Sequence, residues 1–559
     1  MSEITRRDFV KGAAFAPFAI SSITSAQTST LREDHFDFVI AGAGHNSLIT
    51  AAYLCMAGFK VVVLEGRPEV GGGVKTAELL MPGFWSDVCS STHNAPMRAN
   101  PAIKNNELRL GDYGLEYIFA DPVKHVPFLD GSYLTEWQDL DRTCSEIAKY
   151  SKKDADAYRK MALEFSAVRH LLQPEDIFTP VGWQKQSPAA AIDKLPPSKL
   201  AVWRRRMTMR LWDALHDQFE DERTMTFVMA PWPVATTSYN TGIGAWPPNK
   251  PDWACPKGGS GMLAVALARC IEAHGGVILL NKPVTQLIIE SGKCVGVECS
   301  DGSSYRAAKG VVSTLHIKRL VDLAPRELWG DDFLESVRLF YQGIAGFNTH
   351  YATTEPLKFP VAGGTLSPVN ITSLQSPDRA LRYDYEMAAG LVDYDEPVLH
   401  VVQSSVIDPL RAPEGYHVIR ILAQEPWDLK EGGYQAWESI KDKAALAHLR
   451  FMQRLAPNLT DDKILARFIT TPVHIEEMNP GMYHGACHGG ADGPAQAGAM
   501  RPVLGWADYR MPIPGLYQTG TTTYPSGGVT GAPGRNCAMV LLKEFGSSIE
   551  EAVAKGNKA

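Results

Sequence analysis

The sequence is poor in three features that would each indicate a class of protein. No run of about 20 uninterrupted apolar residues occurs in its 559 residues, so we predict no transmembrane helix. Its nine cysteines contain no Cys-x-x-Cys pair, so neither a redox dithiol nor a zinc site is indicated. The formal net charge of −7 disfavours nucleic acid as a partner.

The length and the remaining cysteine pattern indicate an ordinary globular chain. At 559 residues it exceeds what one hydrophobic core usually supports, which predicts at least two domains. We expect the cysteines to be buried free thiols, although Cys294 and Cys299 are close enough in sequence for a bridge to be considered.

The most specific pattern present is a glycine turn between a strand and a helix. Asp37 to Ala41 is an apolar, β-branched run, and Leu48 to Ala57 has the composition of a helix. Between them, Gly42 would permit a tight turn, and Gly44 would let the backbone approach a pyrophosphate. Ser47 stands where the usual third glycine falls. This order of strand, glycine turn and helix is typical of a dinucleotide-binding unit, in which the helix N-terminus faces the negatively charged pyrophosphate.

An acidic residue and a second glycine turn extend this unit. The strand Lys60 to Leu64 ends in Glu65, where a carboxylate can accept hydrogen bonds from an adenosine ribose. Arg67 and the run Gly71-Gly72-Gly73 follow. NAD sites seldom continue in this way, which favours FAD. A simple glycine-rich loop is the alternative interpretation.

Two further glycine segments lie far along the chain. Pro256-Lys257-Gly258-Gly259-Ser260-Gly261 precedes a helix-like run from Leu263 to His274. Near the C-terminus, a short buried strand from Leu516 to Thr519 is predicted before the glycine-rich run 525–536. A helix from Ala538 to Phe545 is predicted after it.

Together these segments resemble the phytoene desaturase-like family, which includes carotenoid desaturases and isomerases and shares its N-terminal motif with amine oxidases. The resemblance implies FAD as the cofactor. The candidate cofactor-binding residues are Gly42, Gly44, His45, Asn46, Ser47, Glu65, Gly66, Arg67, Gly71, Gly72, Gly73, Val284, Gly520, Thr521, Gly527, Gly528, Val529 and Asn536.

The resemblance also implies an α/β fold with a discontinuous, Rossmann-like FAD-binding domain. We predict that this domain comprises residues 34–95, 255–315 and 500–548. Residues 96–254 and 316–499 would then form an inserted α+β cap that binds the substrate.

The N-terminus resembles an export signal. Thr5-Arg6-Arg7-Asp8-Phe9-Val10-Lys11 is similar to the twin-arginine motif, and it precedes a moderately apolar stretch and small residues ending at Ala26. We therefore predict a signal peptide over residues 1–26, the twin-arginine export machinery as a partner, and a periplasmic location.

The predicted cap carries weaker signals. Ser198 to Phe227 is helical in composition, with one apolar face. Arg204, Arg205 and Arg206 beside Trp203 suggest either a solvated face or peripheral contact with an anionic membrane. A loop region with Trp232, Trp246 and Trp253 would line a pocket for a flat or isoprenoid substrate, or only stiffen a surface loop.

Four residues are candidate catalytic proton acceptors: His93, His484, His488 and Tyr524. A structural role for each is the competing interpretation. We predict no metal, because glycines surround the His484/His488 pair and no third ligand is apparent.

The predicted function is that of an FAD-dependent dehydrogenase or desaturase, or an isomerase, acting on a hydrophobic isoprenoid or aromatic small molecule. A flavin accepts the hydride, so a general base is not required. The sequence leaves the electron acceptor open between oxygen, a quinone and a redox protein. The alternatives are a flavin amine oxidase that produces hydrogen peroxide and a non-enzymatic lipid- or prenyl-binding protein on the same fold.

Overall fold

The computed structural model describes residues 36–93, 95–172, 175–183, 197–230, 235–237, 253–491 and 493–558. The predicted export signal, Trp232 and Trp246 therefore lie outside the described residues. No helix in the described ranges is long and apolar enough to cross a membrane.

The described strands, in chain order, are β1 (Phe36–Ala41), β2 (Val61–Leu64), β3 (Thr76–Ala77), β4 (Ser86–Asp87), β5 (Tyr117–Phe119), β6 (Lys124–Pro127), β7 (Tyr133–Glu136), β8 (Ala254–Pro256), β9 (Val277–Leu279), β10 (Val284–Glu290), β11 (Lys293–Cys299), β12 (Ser304–Ser313), β13 (Ala345–Thr353), β14 (Phe359–Val361), β15 (Gly364–Leu366), β16 (Asn370–Thr372), β17 (Leu399–Val402), β18 (His417–Glu425), β19 (Ile464–Thr470) and β20 (Leu516–Gln518).

The described α-helices are α1 (His45–Met56), α2 (Ala95–Ala99), α3 (Pro101–Lys104), α4 (Leu140–Ile147), α5 (Lys152–Leu172), α6 (Pro197–Thr208), α7 (Leu211–Gln218), α8 (Glu222–Met229), α9 (Gly261–Ala273), α10 (Ile317–Leu320), α11 (Asp331–Leu339), α12 (Pro377–Ala389), α13 (Trp437–Leu455), α14 (Pro472–Met478), α15 (Ala532–Glu544) and α16 (Ile549–Gly556).

The first sheet has a parallel part built from β20, β12, β1, β2 and β9. Its strands are short β-branched runs such as Val61–Leu64, buried on both faces, as parallel strands between two packed layers must be. The first half of β12 instead pairs antiparallel with β11, which extends the sheet as a hairpin with β10. All strands of this sheet fall in the three segments expected to form the FAD-binding domain.

The second sheet has the order β19-β13-β18-β17-β16-β6-β7. Its long central strands β13 and β18 pair antiparallel over nine residues. The whole of β13 is buried, including the polar residues Asn348 and His350. The strands of this sheet all come from the two segments expected to form the cap.

Two helix boundaries differ from the sequence-based expectation. The run from Ser198 to Phe227 is three helices, α6 to α8, rather than one. Arg210 is extended before α7, and the side chain of Asp221 accepts a hydrogen bond from the Thr224 N–H to cap α8. Helix α15 begins at Ala532, earlier than expected, with a proline in its first turn. The second half of the glycine-rich run therefore belongs to the helix.

Candidate functional site

The first glycine turn connects β1 to α1 at the carboxyl edge of the parallel sheet. Gly42 has a φ of +99°, and a Cβ there would lie 2.4 Å from Thr314 Cγ2, so only glycine fits. Gly44 differs, because its φ is −72° and no atom from another part of the described chain lies within 4 Å of the position a Cβ would take. The turn therefore leaves open space at Gly44, where a ligand can approach the backbone.

Helix α1 presents a free N-terminus to this space. Its first turn contains no acidic residue, and Gly44 caps it without a side-chain hydrogen bond. The Ser47 hydroxyl donates to the carbonyl oxygens of Gly42 and Gly44, at 2.7 and 2.9 Å. Ser47 thus stabilises the turn through its carbonyl groups, and the N–H groups at the start of the helix remain available for an anion.

Glu65 follows β2 and lies beside the same turn. Its Oε2 accepts from the Ala43 N–H at 2.7 Å, and its Oε1 accepts from the Arg67 N–H at 3.0 Å. Burial raises the pKa of this carboxyl, while these two backbone hydrogen bonds oppose the increase. The carboxylate is held in place and retains lone pairs for ribose hydroxyl groups.

The second glycine turn packs directly on the first. The Gly71 N–H donates to the Ala43 carbonyl at 2.8 Å, and Gly71 forms a β-bridge with Gly44. A Cβ on Gly72 would lie 3.2 Å from Gly44 Cα. Arg67 donates to the Glu477 carbonyl, which connects this turn to the end of α14.

The C-terminal glycine segment, residues 525–536, packs against the start of α1 and against the backbone of His488. A Cβ on Gly534, in α15, would lie 2.2 Å from the Asn46 carbonyl oxygen, so α15 packs against the start of α1. A Cβ on Gly527 would lie 2.0 Å from the His488 carbonyl oxygen, while a Cβ on Gly528 would have no neighbour within 4 Å among the residues that the structure describes. The buried Arg501 donates to the carbonyl groups of Thr521 and His488, which fixes the two segments together.

These elements line one continuous cavity of about 1300 Å³ that extends from the glycine turns to the second sheet. Fifteen of the eighteen candidate cofactor residues line it. The other three, Ser47, Gly71 and Asn536, do not line the cavity. Asn536 donates to the Ile177 carbonyl at 2.9 Å and supports α15.

Two polar groups at the start of α1 fit a bound dinucleotide. His45 Nε2 and Asn46 Oδ1 are buried, and neither has a hydrogen-bond partner among the described residues. Burial lowers the pKa of His45 to about 4, although a hydrogen bond with the Gly528 backbone opposes this decrease. A neutral imidazole nitrogen and an amide oxygen can each form a hydrogen bond with a hydroxyl or N–H group of a bound dinucleotide. These two groups, unpartnered among the described residues, and the open space at Gly44 therefore suit FAD.

The far end of the cavity is formed by side chains that the sequence analysis did not identify. His400 and Val402 come from β17, and Arg420, Leu422 and Gln424 come from β18. These residues alternate along their strands, so they share one face of the sheet. Such alternation was visible in sequence, but nothing in the sequence places this face against the glycine turns.

Arg420 is a fixed positive charge in that region. It is 6% exposed, and it donates from Nε to Asn348 Oδ1 at 2.9 Å and from Nη1 to Ser91 Oγ at 2.8 Å. Burial, and to a smaller extent the charge of Arg420, lower the pKa of His400 to about 3. His400 is therefore neutral, and Arg420 is the charged side chain that β13, β17 and β18 contribute to the lining.

The four candidate catalytic residues occupy different places. His488 lines the cavity, whereas His93, His484 and Tyr524 do not. His93 is fully buried between Tyr117 Oη and Ser260 Oγ, each 2.9 Å away, and burial lowers its pKa to about 3. His484 stacks on Trp427, with ring centroids 4.5 Å apart. The carbonyl of Tyr524 accepts from Tyr509 Oη at 2.7 Å.

Among the described residues, no group of three or more His, Cys, Asp or Glu side chains is arranged to hold a metal ion. All nine cysteines are free, including Cys294 and Cys299. Trp253 is fully buried and lines the cavity.

Comparison with known proteins identifies two family matches. Residues 40–105 match the NAD(P)-binding Rossmann-like domain, and residues 156–402 match the flavin containing amine oxidoreductase family.

Two curated relatives and one solved structure align over most of the chain. The chain is 26% identical to a subunit of limonene dehydrogenase from Castellaniella defragrans, over 92% of this chain and 95% of the relative. It is 24% identical to the all-trans-zeta-carotene desaturase of Myxococcus xanthus, over 88% and 90%. A solved putrescine oxidase variant superposes with a TM-score of 0.60 and 14% identity, over 91% of this chain and 99% of that one.

These findings confirm the Rossmann-like α/β fold and FAD as the cofactor. They also confirm that the chain is an FAD-dependent oxidoreductase related to proteins that include carotenoid desaturases. The roles of individual site residues and the domain boundaries stay predictions.

Proposed function

We propose that this protein is an FAD-dependent dehydrogenase or desaturase that oxidises a C–H bond of a hydrophobic, isoprenoid-like small molecule. The observation that carries the proposal is the single cavity that joins the dinucleotide turns to the second sheet. The names of the two relatives, a limonene dehydrogenase and a carotene desaturase, support an isoprenoid substrate.

FAD would be held by the residues around the two glycine turns and Glu65, and when bound it supplies a two-electron acceptor for a hydride. The protein then has to position an apolar substrate and keep water away. Leu422, Val402 and Ile344 give the cap side of the cavity apolar surface, and Trp253 adds a buried aromatic ring. Burying apolar substrate surface there contributes on the order of 25 cal/mol per Å².

His488 is the candidate proton acceptor that we retain for this reaction. It lines the cavity, and its backbone is fixed by Arg501 and packs against Gly527. Loss of a proton from the substrate beside the departing hydride would complete a desaturation, and an imidazole near neutral pH can accept that proton.

An amine oxidase is the second candidate, favoured by the family match over residues 156–402 and by the putrescine oxidase superposition. The electrostatics of the cap side argue against it. An ammonium or amine substrate would approach the buried Arg420 cation on β18, and the strands that line this region provide no carboxylate. A neutral substrate experiences no such repulsion.

The two candidates are distinguished by one substrate screen. The purified protein, loaded with FAD, is mixed under anaerobic conditions with monoterpenes, longer isoprenoids or aliphatic amines, and the visible flavin band is followed. We expect isoprenoids to bleach the flavin and amines to leave it oxidised. Bleaching by amines alone, with hydrogen peroxide formed on adding air, would reverse the assignment.

We further propose that the protein is exported folded, with FAD bound, by the twin-arginine pathway. The support is the motif around Arg6 and Arg7. Cell fractionation should place the wild-type protein in the periplasm, and the paired variant Arg6→Lys/Arg7→Lys should stay in the cytoplasm. A wild-type protein that remains cytoplasmic would refute this proposal.

A further inference from the structure

Two cysteines that are 398 residues apart in sequence meet in the cavity. Cys89 Sγ lies 3.1 Å from Cys487 Sγ. Cys89 follows β4, and Cys487 lies in the loop after α14, so only the folded chain brings them together. Of the nine cysteines, these two line the cavity. A small solute that enters the cavity can therefore reach them.

The surroundings of the pair favour a reactive thiolate on Cys89. The hydrogen bond between the two thiols lowers the pKa of Cys89 to about 7, against burial, and the charge of Arg420 also contributes. The pKa of Cys487 is raised well above its usual value by the same interaction and by burial. One cysteine is thus ready to attack near neutral pH, and its neighbour holds a proton.

We propose that Cys89 and Cys487 are a redox-active pair that a low-molecular-weight disulfide converts to an intramolecular disulfide through the cavity. The Cys89 thiolate attacks one sulfur of the disulfide RSSR, which breaks the S–S bond and releases RS⁻. Cys487 then loses its proton and attacks the Cys89 sulfur, which releases the second RS⁻. Overall, two cysteine thiols and RSSR give one protein disulfide and two RSH, so RSSR takes both electrons.

The disulfide would act on the cavity in two ways. It removes the negative charge that faces Arg420. It also ties the segment after β4 to the loop of Cys487 and His488, which packs against Gly527. The redox state of the pair would therefore alter the part of the cavity between the cofactor turns and the second sheet. This inference does not depend on the proposed substrate.

The test uses the full-length FAD-loaded protein, titrated with oxidised glutathione. Free thiols are then alkylated, and disulfide-linked peptides are identified by mass spectrometry. We expect two thiols per chain to be lost, to appear as a Cys89–Cys487 cross-linked peptide, and to return on adding dithiothreitol. Cys487→Ser should stop the reaction at a glutathione adduct on Cys89, and Cys89→Ser should leave Cys487 unmodified.

Cys144→Ala, which removes a buried cysteine outside the cavity, is the matched control and should behave as the wild type. A second measurement on the wild type needs no variant: the rate of alkylation of Cys89 should rise with pH around an apparent pKa of about 7. Retention of all nine thiols at saturating oxidised glutathione would overturn the proposal. A cross-link between other cysteines would overturn it as well.

Discussion

Gly44 allows the cofactor assignment to be tested separately from folding. Its φ of −72° and ψ of 161° are open to alanine, and no atom from elsewhere in the described ranges lies within 4 Å of the added methyl group. Gly44→Ala should therefore leave the unfolding free energy of the FAD-free protein unchanged or raise it by about 0.4–1 kcal/mol, because the unfolded chain loses freedom.

FAD binding should respond differently. The methyl group would enter the space where the pyrophosphate approaches the turn and the α1 N-terminus. Losing one charge-assisted hydrogen bond costs about 1.5–3 kcal/mol. The Kd for FAD should therefore rise by roughly 10- to 100-fold. The assay is titration of the FAD-free protein with FAD, followed by flavin fluorescence, together with thermal unfolding in the absence of FAD.

Two control variants complete the experiment. Gly111→Ala adds a methyl group away from the cavity, in space that is open among the described residues. It should leave the Kd for FAD unchanged and shift the unfolding free energy either not at all or by no more than the same amount of about 0.4–1 kcal/mol. Gly534→Ala places a Cβ 2.2 Å from the Asn46 carbonyl, so it should destabilise the FAD-free protein by about 1–3 kcal/mol. If Gly44→Ala binds FAD as tightly as the wild type, the pyrophosphate does not lie against this turn, and our reasoning is wrong.

Two further predictions concern the cap. Burial lowers the pKa of His125 to about 3 in the folded protein, whereas the pKa in the unfolded chain is about 6.5. As the pH falls below about 6.5, the imidazole is protonated in the unfolded chain but not in the folded protein, so the free energy of unfolding decreases. Below a pH of about 6.5, His125→Asn should reduce the slope of the unfolding free energy against pH by about 1.4 kcal/mol per pH unit, as measured by urea unfolding. An unchanged slope would show that His125 is protonated in the folded protein. Glu136 forms an ion pair with the buried Lys124 at 3.1 Å. Glu136→Gln leaves the lysine charge buried without its counter-ion and should lower the unfolding free energy by about 3–5 kcal/mol in the same assay. A decrease below about 1 kcal/mol, as for an exposed pair, would contradict this prediction.

The part of the fold that sequence reasoning recovered is local. The segment from β1 through α1 to β2 is recognisable because strand composition, a glycine turn and the acidic residue Glu65 occur within about thirty residues of sequence. The helix boundaries near Arg210 and Asp221 were missed, because helical composition continues across both positions. Only the capping geometry of Asp221 and the extended backbone at Arg210 interrupt the helix.

The far side of the cavity could not be predicted for a different reason. Arg420, His400 and the Cys89–Cys487 contact depend on how the second sheet packs against the first. Strand pairing between distant segments is set by tertiary burial, which a single sequence does not determine. The expectation that no redox dithiol is indicated followed from the missing Cys-x-x-Cys spacing, a rule that detects only cysteines close in sequence.

The most direct test of the account is anaerobic mixing of the FAD-loaded protein with a cyclic monoterpene such as limonene, with the flavin spectrum and the organic products recorded together. We expect the protein to be purified with a visible flavin band. We also expect the isoprenoid to bleach this band, with an oxidised product formed in proportion to the flavin reduced. A flavin that stays oxidised with every isoprenoid and is reduced by an amine would contradict the central claim.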